Sequence, residues 1–196
     1  MDVQTFTLTQ YQSNCYVVTS NGQSIVIDPG APDGQIEEAV AATELVAVVN
    51  THAHPDHIGG NPALKTKLDV PLLLHRADRA WWRTLLGDEV PPDRFIEQGE
   101  TIDVGDVTFE VMHTPGHCPG QVILIERDER IIFSGDLIFA GSIGRTDFPG
   151  GSDEQMRDSL ARLDKLEGDW TIYPGHGPVT TLEQERHSNP FLVELR

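Results

Sequence analysis

The stretch NTHAHPDHIGG, residues 50–60, places three histidines and one aspartate within six positions, from His52 to His57. The whole chain has only eight histidines in 196 residues, so the concentration needs an explanation. His52 and His54 follow the strand-like run LVAVVNTH (45–52) and are two positions apart. Side chains at this spacing point the same way in an extended chain, so both can reach one metal ion. Asp56 and His57 come next and could face a second ion.

Three more candidate ligands stand at the ends of later strand-like runs. They are His117 in TPGHCPG, Asp136 in FSGDLIF and His176 in YPGHG. Each has a glycine beside it, which lets the backbone turn tightly so that a short side chain can reach inward. A lone histidine is more often structural, but five histidines and two aspartates in this arrangement predict a metal centre.

The motif His-x-His-x-Asp-His at 52–57, followed in order by His117, Asp136 and His176, resembles the metallo-β-lactamase superfamily. The match runs from about residue 28 to residue 176. It implies an α/β fold, the αββα sandwich of two mixed β-sheets flanked by helices, which we expect to form one domain over residues 1–196. It also implies two zinc ions, with iron or manganese as alternatives. The implied ligands are His52, His54 and His117 for one ion, Asp56, His57 and His176 for the other, and Asp136 for both.

Within this superfamily the sequence is most similar to type II glyoxalase-like (hydroxyacylglutathione hydrolase-like) enzymes of the compact bacterial branch. The similarity lies in SNCYVV (13–18), VIDPG (26–30), TPGHCPG (114–120) and GSIGRTDFPGG (141–151). It implies hydrolysis of a thioester such as S-lactoylglutathione by a hydroxide shared between two cations, with Asp56 also orienting the hydroxide. Arg145 either anchors a substrate carboxylate or forms an ion pair with Asp147. The chain ends 20 residues after His176, so glutathione recognition through an added helical domain is not expected.

Two rival activities belong to the same fold. Persulfide dioxygenases share a similar GRTDF stretch and use one iron ion, which His52, His117 and Asp136 would hold here. The paired glycines Gly59 and Gly60 favour the hydrolase instead. β-Lactam hydrolysis is disfavoured because an aspartate, rather than a cysteine, stands at the bridging position.

Composition restricts the partners. The net charge of −17 and the pI of about 4.6 argue against nucleic acid, because an acidic surface repels phosphates. No apolar run approaches the ~20 residues of a membrane span, and the N-terminus MDVQTFTLTQ lacks the features of a signal peptide. We therefore expect a cytoplasmic protein that acts on a small molecule without membrane contact; a homodimer is left open.

Apolar runs between turn signals predict strands within 24–30, 45–52, 70–75, 106–116, 121–128, 130–136 and 169–177. Helices are predicted over 33–44 and from N-caps at Asn61, Ser152 and Thr180. Trp81 and Trp82 are predicted to pack the segment 76–95 onto the body, with a pocket lip as the alternative. Three histidines outside the motif, His75, His113 and His187, are interpreted as structural or surface residues, and Cys118 as a buried small side chain.

Overall fold

Two six-stranded sheets form the centre of the molecule. The structure is a computed structural model and describes residues 1–195. The strands of the first sheet lie side by side in chain order: β1 (Asp2–Leu8), β2 (Ser13–Ser20), β3 (Gln23–Ile27), β4 (Glu44–Val49), β5 (Leu72–His75) and β6 (Arg94–Ile96). The pairs from β1 to β3 are antiparallel and those from β3 to β6 are parallel, so the sheet is mixed.

The second sheet is also mixed. Its strands in chain order are β7 (Thr101–Val104), β8 (Val107–His113), β9 (Val122–Glu126), β10 (Ile131–Gly135), β13 (Thr171–Pro174) and β14 (Thr180–Thr181). In space they lie in the order β14-β13-β10-β9-β8-β7, with only β10 and β13 parallel. A small hairpin of β11 (Ile138–Phe139) and β12 (Ser142–Ile143) follows β10.

Helices cover the outer face of each sheet. The first sheet carries α1 (Gly34–Val40), α2 (Pro55–Ile58), α3 (Asn61–Leu68) and α4 (Arg79–Leu86), the last preceded by a 3₁₀ turn at Arg76–Asp78. The second sheet carries α5 (Asp153–Asp164), α6 (Leu182–Ser188) and α7 (Pro190–Val193). This arrangement is the αββα sandwich that the sequence predicted.

The strand sequences explain why both sheet faces are covered. Alternate residues of a strand point to opposite faces. In β3, Ile25 and Ile27 enter the core between the sheets, whereas Val26 enters the core beneath the helices of the first sheet. A strand buried on both faces reads as a continuous apolar run rather than an alternating one, as these runs do.

The predicted helix starts agree with the structure to within one residue, and the N-cap of α6 is Thr181 rather than Thr180. Ser152 caps α5, its hydroxyl accepting from the Gln155 N–H at 3.3 Å as predicted. The prediction for α3 was wrong by one residue, because Gly60 is the N-cap. The Asn61 amide instead donates to the Asn50 side-chain oxygen at 2.8 Å.

Within the described residues, no helix combines the length and apolar character needed to cross a bilayer.

Candidate metal centre

The predicted ligands meet at one edge of the sandwich because of strand direction. β10 and β13 are parallel neighbours, so Asp136 and His176, which follow them, emerge at the same edge. β8 is antiparallel to β9, which is antiparallel to β10, so β8 also ends there, shortly before His117. The two sheets are joined at this edge by the Val122 N–H, which donates to the Thr51 carbonyl at 2.8 Å. The motif that follows β4 therefore faces the three later ligands.

One cluster consists of His52, His54 and His117, all buried. Their potential ligand atoms lie within 4.8 Å of one another, and His54 Nδ1 is 2.8 Å from His117 Nε2. These are the three residues that the sequence grouped around a first ion.

The second cluster consists of Asp56, His57 and His176. His57 Nε2 lies 3.3 Å from His176 Nε2, which lies 3.3 Å from Asp56 Oδ2. His57 is buried, whereas Asp56 and His176 are half-buried and open toward solvent. This is the set that the sequence grouped around a second ion.

Asp136 stands between the clusters. Its Oδ2 is 3.3 Å from His117 Nε2 and 3.6 Å from His176 Nε2, and its Oδ1 is 3.5 Å from His57 Nε2. One carboxylate thus reaches histidines of both clusters, the position that a bridging ligand requires.

The donor set fits a pair of metal ions. Three of its buried atoms, His52 Nε2, His54 Nε2 and Asp136 Oδ1, have no hydrogen-bond partner, which is costly unless another group satisfies them. Imidazole nitrogens with carboxylate oxygens suit zinc or iron, so the chemistry of the set does not choose between these metals. The clusters fit a dinuclear centre.

Burial and neighbouring charge divide the histidines into two kinds. Burial, reinforced by the adjacent His117, lowers the pKa of His54 to about 4, and burial also lowers the pKa of His52 far below its usual value. For His57, burial is outweighed by Asp136 and Asp28, which raise its pKa to about 9. Burial is likewise outweighed for Asp56, whose pKa falls to about 2 through the hydrogen bond from His176. Without metal, His52 and His54 are therefore neutral, and His57 holds a proton against the neighbouring carboxylates.

Asp28, in the VIDPG stretch, orients one histidine of each cluster. Its carboxylate accepts from His57 Nδ1 at 3.0 Å, and from the Thr51 hydroxyl and N–H at 2.6 and 2.7 Å. The Thr51 oxygen in turn lies 3.0 Å from His52 Nδ1. Such partners fix the ring orientation and the tautomer of a ligand histidine. Neither Asp28 nor Thr51 was assigned a role from sequence, although both flank the motifs.

Main-chain carbonyls orient two more histidines. His117 Nδ1 donates to the Arg145 carbonyl at 2.7 Å, and His176 Nδ1 donates to the Tyr11 carbonyl at 3.1 Å. Each bond leaves Nε2 of the ring directed at the cluster.

Asp78 connects the segments that carry the first cluster. It is fully buried, and its carboxylate accepts from the N–H groups of Ala53 at 2.9 Å and Gly120 at 2.6 Å. The Cys118 thiol lies 3.2 Å from the same carboxylate, and burial raises the pKa of that thiol well above its usual value. Cys118 is thus the buried residue that was predicted. Asp78 was not identified from sequence because its partners lie 25 to 42 positions away.

Glycine is required beside three of the candidate ligands, including Gly116 before His117, where φ is +141° and a Cβ would overlap Met156. Gly135 has φ +45° and precedes Asp136, and a Cβ there would lie 2.5 Å from Thr51 Oγ1. A Cβ at Gly175, which precedes His176, would overlap Asp136 Oδ1. The predicted role of these glycines, close approach of the turns, is therefore confirmed at all three positions.

A pocket of about 610 Å³ opens above the clusters. Its walls carry four aromatic side chains, Tyr11, Trp81, Phe139 and Phe148. The adjacent tryptophans divide their roles. Trp82 is buried and donates its indole N–H to the Val90 carbonyl at 2.8 Å, as the packing prediction required. Trp81 packs only partly against that core and also lines the pocket, which was the alternative.

Arg145 lines the same pocket, but its guanidinium is already engaged. Its Nε and a terminal nitrogen each lie 2.6 Å from a carboxylate oxygen of Asp147, and the group stacks 3.8 Å from the Phe148 ring centre. The ion pair that the sequence left open is therefore present. The role of Arg145 as an anchor for a substrate carboxylate stays a prediction.

The histidines outside the motif lie apart from the clusters. His75 and His113 stack on each other at 4.0 Å, and His113 Nε2 donates to the Pro119 carbonyl at 2.8 Å. His187 is exposed on α6. These positions agree with the structural and surface roles predicted for them.

Comparison with known proteins identifies the family. The metallo-beta-lactamase superfamily model matches residues 8–176, and the chain belongs to that superfamily. An uncharacterized protein of Aquifex aeolicus is 41% identical, with 93% of this chain and 92% of the relative covered. The hydroxyacylglutathione hydrolase GloC of Haemophilus influenzae is 34% identical, with 98% of each chain covered.

Solved structures agree with the fold. The B3 metallo-beta-lactamase BLEG-1 superposes with a TM-score of 0.87 at 32% identity, covering 97% of this chain and 99% of BLEG-1. TTHA1623 in a di-iron-bound form gives a TM-score of 0.86 at 35% identity, covering 97% of this chain and all of TTHA1623. The family and the candidate ligands together define a metallo-hydrolase of this superfamily.

Proposed function

We propose that this metallo-hydrolase cleaves thioesters, with S-lactoylglutathione as the first substrate to test and two zinc ions as the working metals. The observation that carries the proposal is the position of Asp136, which reaches histidines of both clusters and so favours two ions over one. The similarity to the hydroxyacylglutathione hydrolase of H. influenzae supports the choice of substrate.

Two bound cations would supply Lewis acidity, making a water molecule nucleophilic at neutral pH and polarising the acyl carbonyl. The remaining work belongs to this chain. Asp56, with its pKa lowered to about 2, stays ionised across the physiological range and can accept a hydrogen bond from the attacking water. Asp28 and the Tyr11 and Arg145 carbonyls keep the histidine rings in place, so no reorientation is needed when substrate arrives.

The test begins with chelated protein, which is reloaded with zinc and assayed for thioester cleavage by the thiol released. We expect two zinc ions per chain and turnover that disappears on chelation and returns with zinc. A chain that holds two zinc ions but cleaves no thioester would contradict the proposal.

An iron-dependent persulfide dioxygenase remains the alternative, and the di-iron form of TTHA1623 makes iron loading worth testing. A single ion on His52, His117 and Asp136 would leave the second cluster without purpose, which weighs against this alternative. Iron-loaded protein offered a persulfide should therefore consume no oxygen. Oxygen uptake at one iron per chain would favour the dioxygenase.

β-Lactam hydrolysis is a further activity to measure because of the similarity to BLEG-1. The same zinc-loaded protein can be assayed with a chromogenic cephalosporin. We expect thioester cleavage to have the higher kcat/KM; the reverse order would replace the proposed substrate class.

A further inference from the structure

The pocket wall beside the first cluster is aromatic. Trp81, from α4, meets the His54 ring edge-on, with ring centres 5.4 Å apart and planes at 90°. Phe148, from the loop before α5, meets the same ring at 5.8 Å and 86°. Two aromatic rings from separate segments therefore flank a candidate ligand of the first ion.

The pocket also has exposed apolar surface. Of its lining residues, Phe148 is 39% exposed and Tyr11 is 64% exposed. Aromatic rings left in contact with water around a concave pocket are typical of ligand sites, because the ligand provides the burial that folding does not. Trp81 and Phe148 together can cover a flat or branched apolar group.

Charge does not offer an alternative anchor on this wall. Arg145 is the sole lysine or arginine among the described residues that line the pocket, and Asp147 holds its guanidinium through two contacts of 2.6 Å. The other face of that guanidinium lies against the Phe148 ring. The wall therefore presents rings and a neutralised ion pair.

We infer that the substrate carries an uncharged aromatic or branched alkyl group on one arm of its thioester, held beside His54 by Trp81 and Phe148. This inference rests on the proposed thioester hydrolysis, and it makes S-lactoylglutathione, which has no such group, a test substrate rather than the preferred one. Apolar pocket contacts of this kind discriminate by about 10- to 200-fold, so the effect is measurable in kcat/KM.

The test uses thioesters that differ in one group. S-Acetyl-N-acetylcysteamine is the small reference. S-Phenylacetyl-N-acetylcysteamine has a ring on its acyl arm, and S-benzyl thioacetate has a ring on its thiol arm. S-Succinyl-N-acetylcysteamine has a carboxylate on its acyl arm. For zinc-loaded protein, we expect at least one ring-bearing ester to exceed the reference by about tenfold in kcat/KM. Equal values for the ring-bearing and reference esters, or a preference for the succinyl ester, would overturn the inference.

Variants then locate the effect. Trp81→Ala and Phe148→Ala should each lower kcat/KM for the preferred ring-bearing ester by about tenfold more than they lower it for the acetyl ester. Phe191→Ala is the matched control, because Phe191 is 41% exposed on α7, outside this pocket, and its loss should change neither. Equal losses for both esters in the two pocket variants would assign these rings a structural role.

A binding measurement separates this inference from the proposed function. The amide analogue of the phenylacetyl ester cannot be cleaved as a thioester, and its binding is followed by calorimetry. If no thioester is hydrolysed but this amide binds and Phe148→Ala weakens it, the apolar site stands and the thioester function fails. If thioesters are cleaved without a ring preference and the amide does not bind, the function stands and the apolar site fails.

Discussion

Replacing Asp78 with asparagine should destabilise the protein and weaken its first metal site together. The carboxylate accepts from the Ala53 and Gly120 N–H groups and lies 3.2 Å from the Cys118 thiol, all in the buried interior. Asparagine has the same shape but only one acceptor oxygen, so its NH₂ group must face a buried donor. At least one hydrogen bond to the carboxylate is lost and one N–H is left unsatisfied.

The expected cost is about 2.5–6 kcal/mol, because a hydrogen bond to a charged group contributes about 1.5–3 kcal/mol and an orphaned buried donor costs about 1–3 kcal/mol. For a chain of this size the melting temperature should fall by roughly 5–25 °C. Urea unfolding of the metal-free protein, followed by tryptophan fluorescence, gives the free energy. Competition with a zinc indicator gives the affinities for the two ions. We expect the affinity of the first cluster to fall more than the affinity of the second.

Asp103→Asn is the matched control. Asp103 is exposed and accepts from the Thr108 hydroxyl at 2.7 Å, so its replacement should cost less than about 0.5 kcal/mol. The expected effect is contradicted if the free energy of unfolding of Asp78→Asn stays within about 0.5 kcal/mol of that of the unaltered protein, or if both zinc affinities are unchanged. Asp78 would then not connect the two ligand segments in the way that its contacts indicate.

Three further outcomes follow from the clusters and the pocket. His54→Ala and Asp136→Ala should each lower zinc content by elemental analysis and abolish turnover, whereas His187→Ala should change neither; full occupancy in His54→Ala would count against the ligand set. In the metal-free protein the pKa of His57 is raised to about 9. The protonated imidazole stabilises the fold fully below about pH 6.5 and progressively less as the pH rises through 9. Zinc must displace this proton when it binds. Calorimetric titration at pH 7 in two buffers of different ionisation enthalpy should therefore show release of about one proton or more, and identical heats in both buffers would contradict this. Arg145→Ala tests the carboxylate anchor: because Asp147 already neutralises the guanidinium, we expect equal changes in KM for anionic and neutral thioesters, and a larger rise for the anionic ones would establish the anchor.

The candidate ligands could be named from sequence because the information is local, and their metal binding stays a prediction. Each candidate ligand stands at the end of an apolar run, beside a glycine or in the His-x-His-x-Asp-His motif, and strand direction brings these ends together. The apolar runs predicted an α/β layer protein, since strands buried on both faces read as continuous apolar runs, and the αββα sandwich was implied by the family resemblance. Seven strands were not predicted: β1, β2, β6, β7, β11, β12 and β14. Four of the seven residues of β1 are exposed, which interrupts the apolar signal, and β6, β11, β12 and β14 have only two or three residues each.

Contacts between distant segments explain the remaining differences. Asn61 has the residue type of an N-cap, but its side-chain amide donates to the Asn50 side chain. The N-cap of α3 is therefore Gly60, one residue earlier than predicted. Trp81 and Trp82 are neighbours on a helix and point about 100° apart, and only the tertiary partners determine which one faces the pocket. Asp78 lies in the segment 76–95, and its three partners come from two separate turns that are distant in sequence.

The orientation of His117 and His176 by main-chain carbonyls has an evolutionary consequence. The side chains of Arg145 and Tyr11 line the pocket while their backbones hold the rings, so natural or laboratory divergence at these positions can change which molecules are accepted without disturbing the cation ligands. Libraries randomised at positions 11 and 145 should yield altered selectivity at undiminished zinc occupancy. A protein of this superfamily can in this way change which substrates it binds while its candidate metal ligands stay the same.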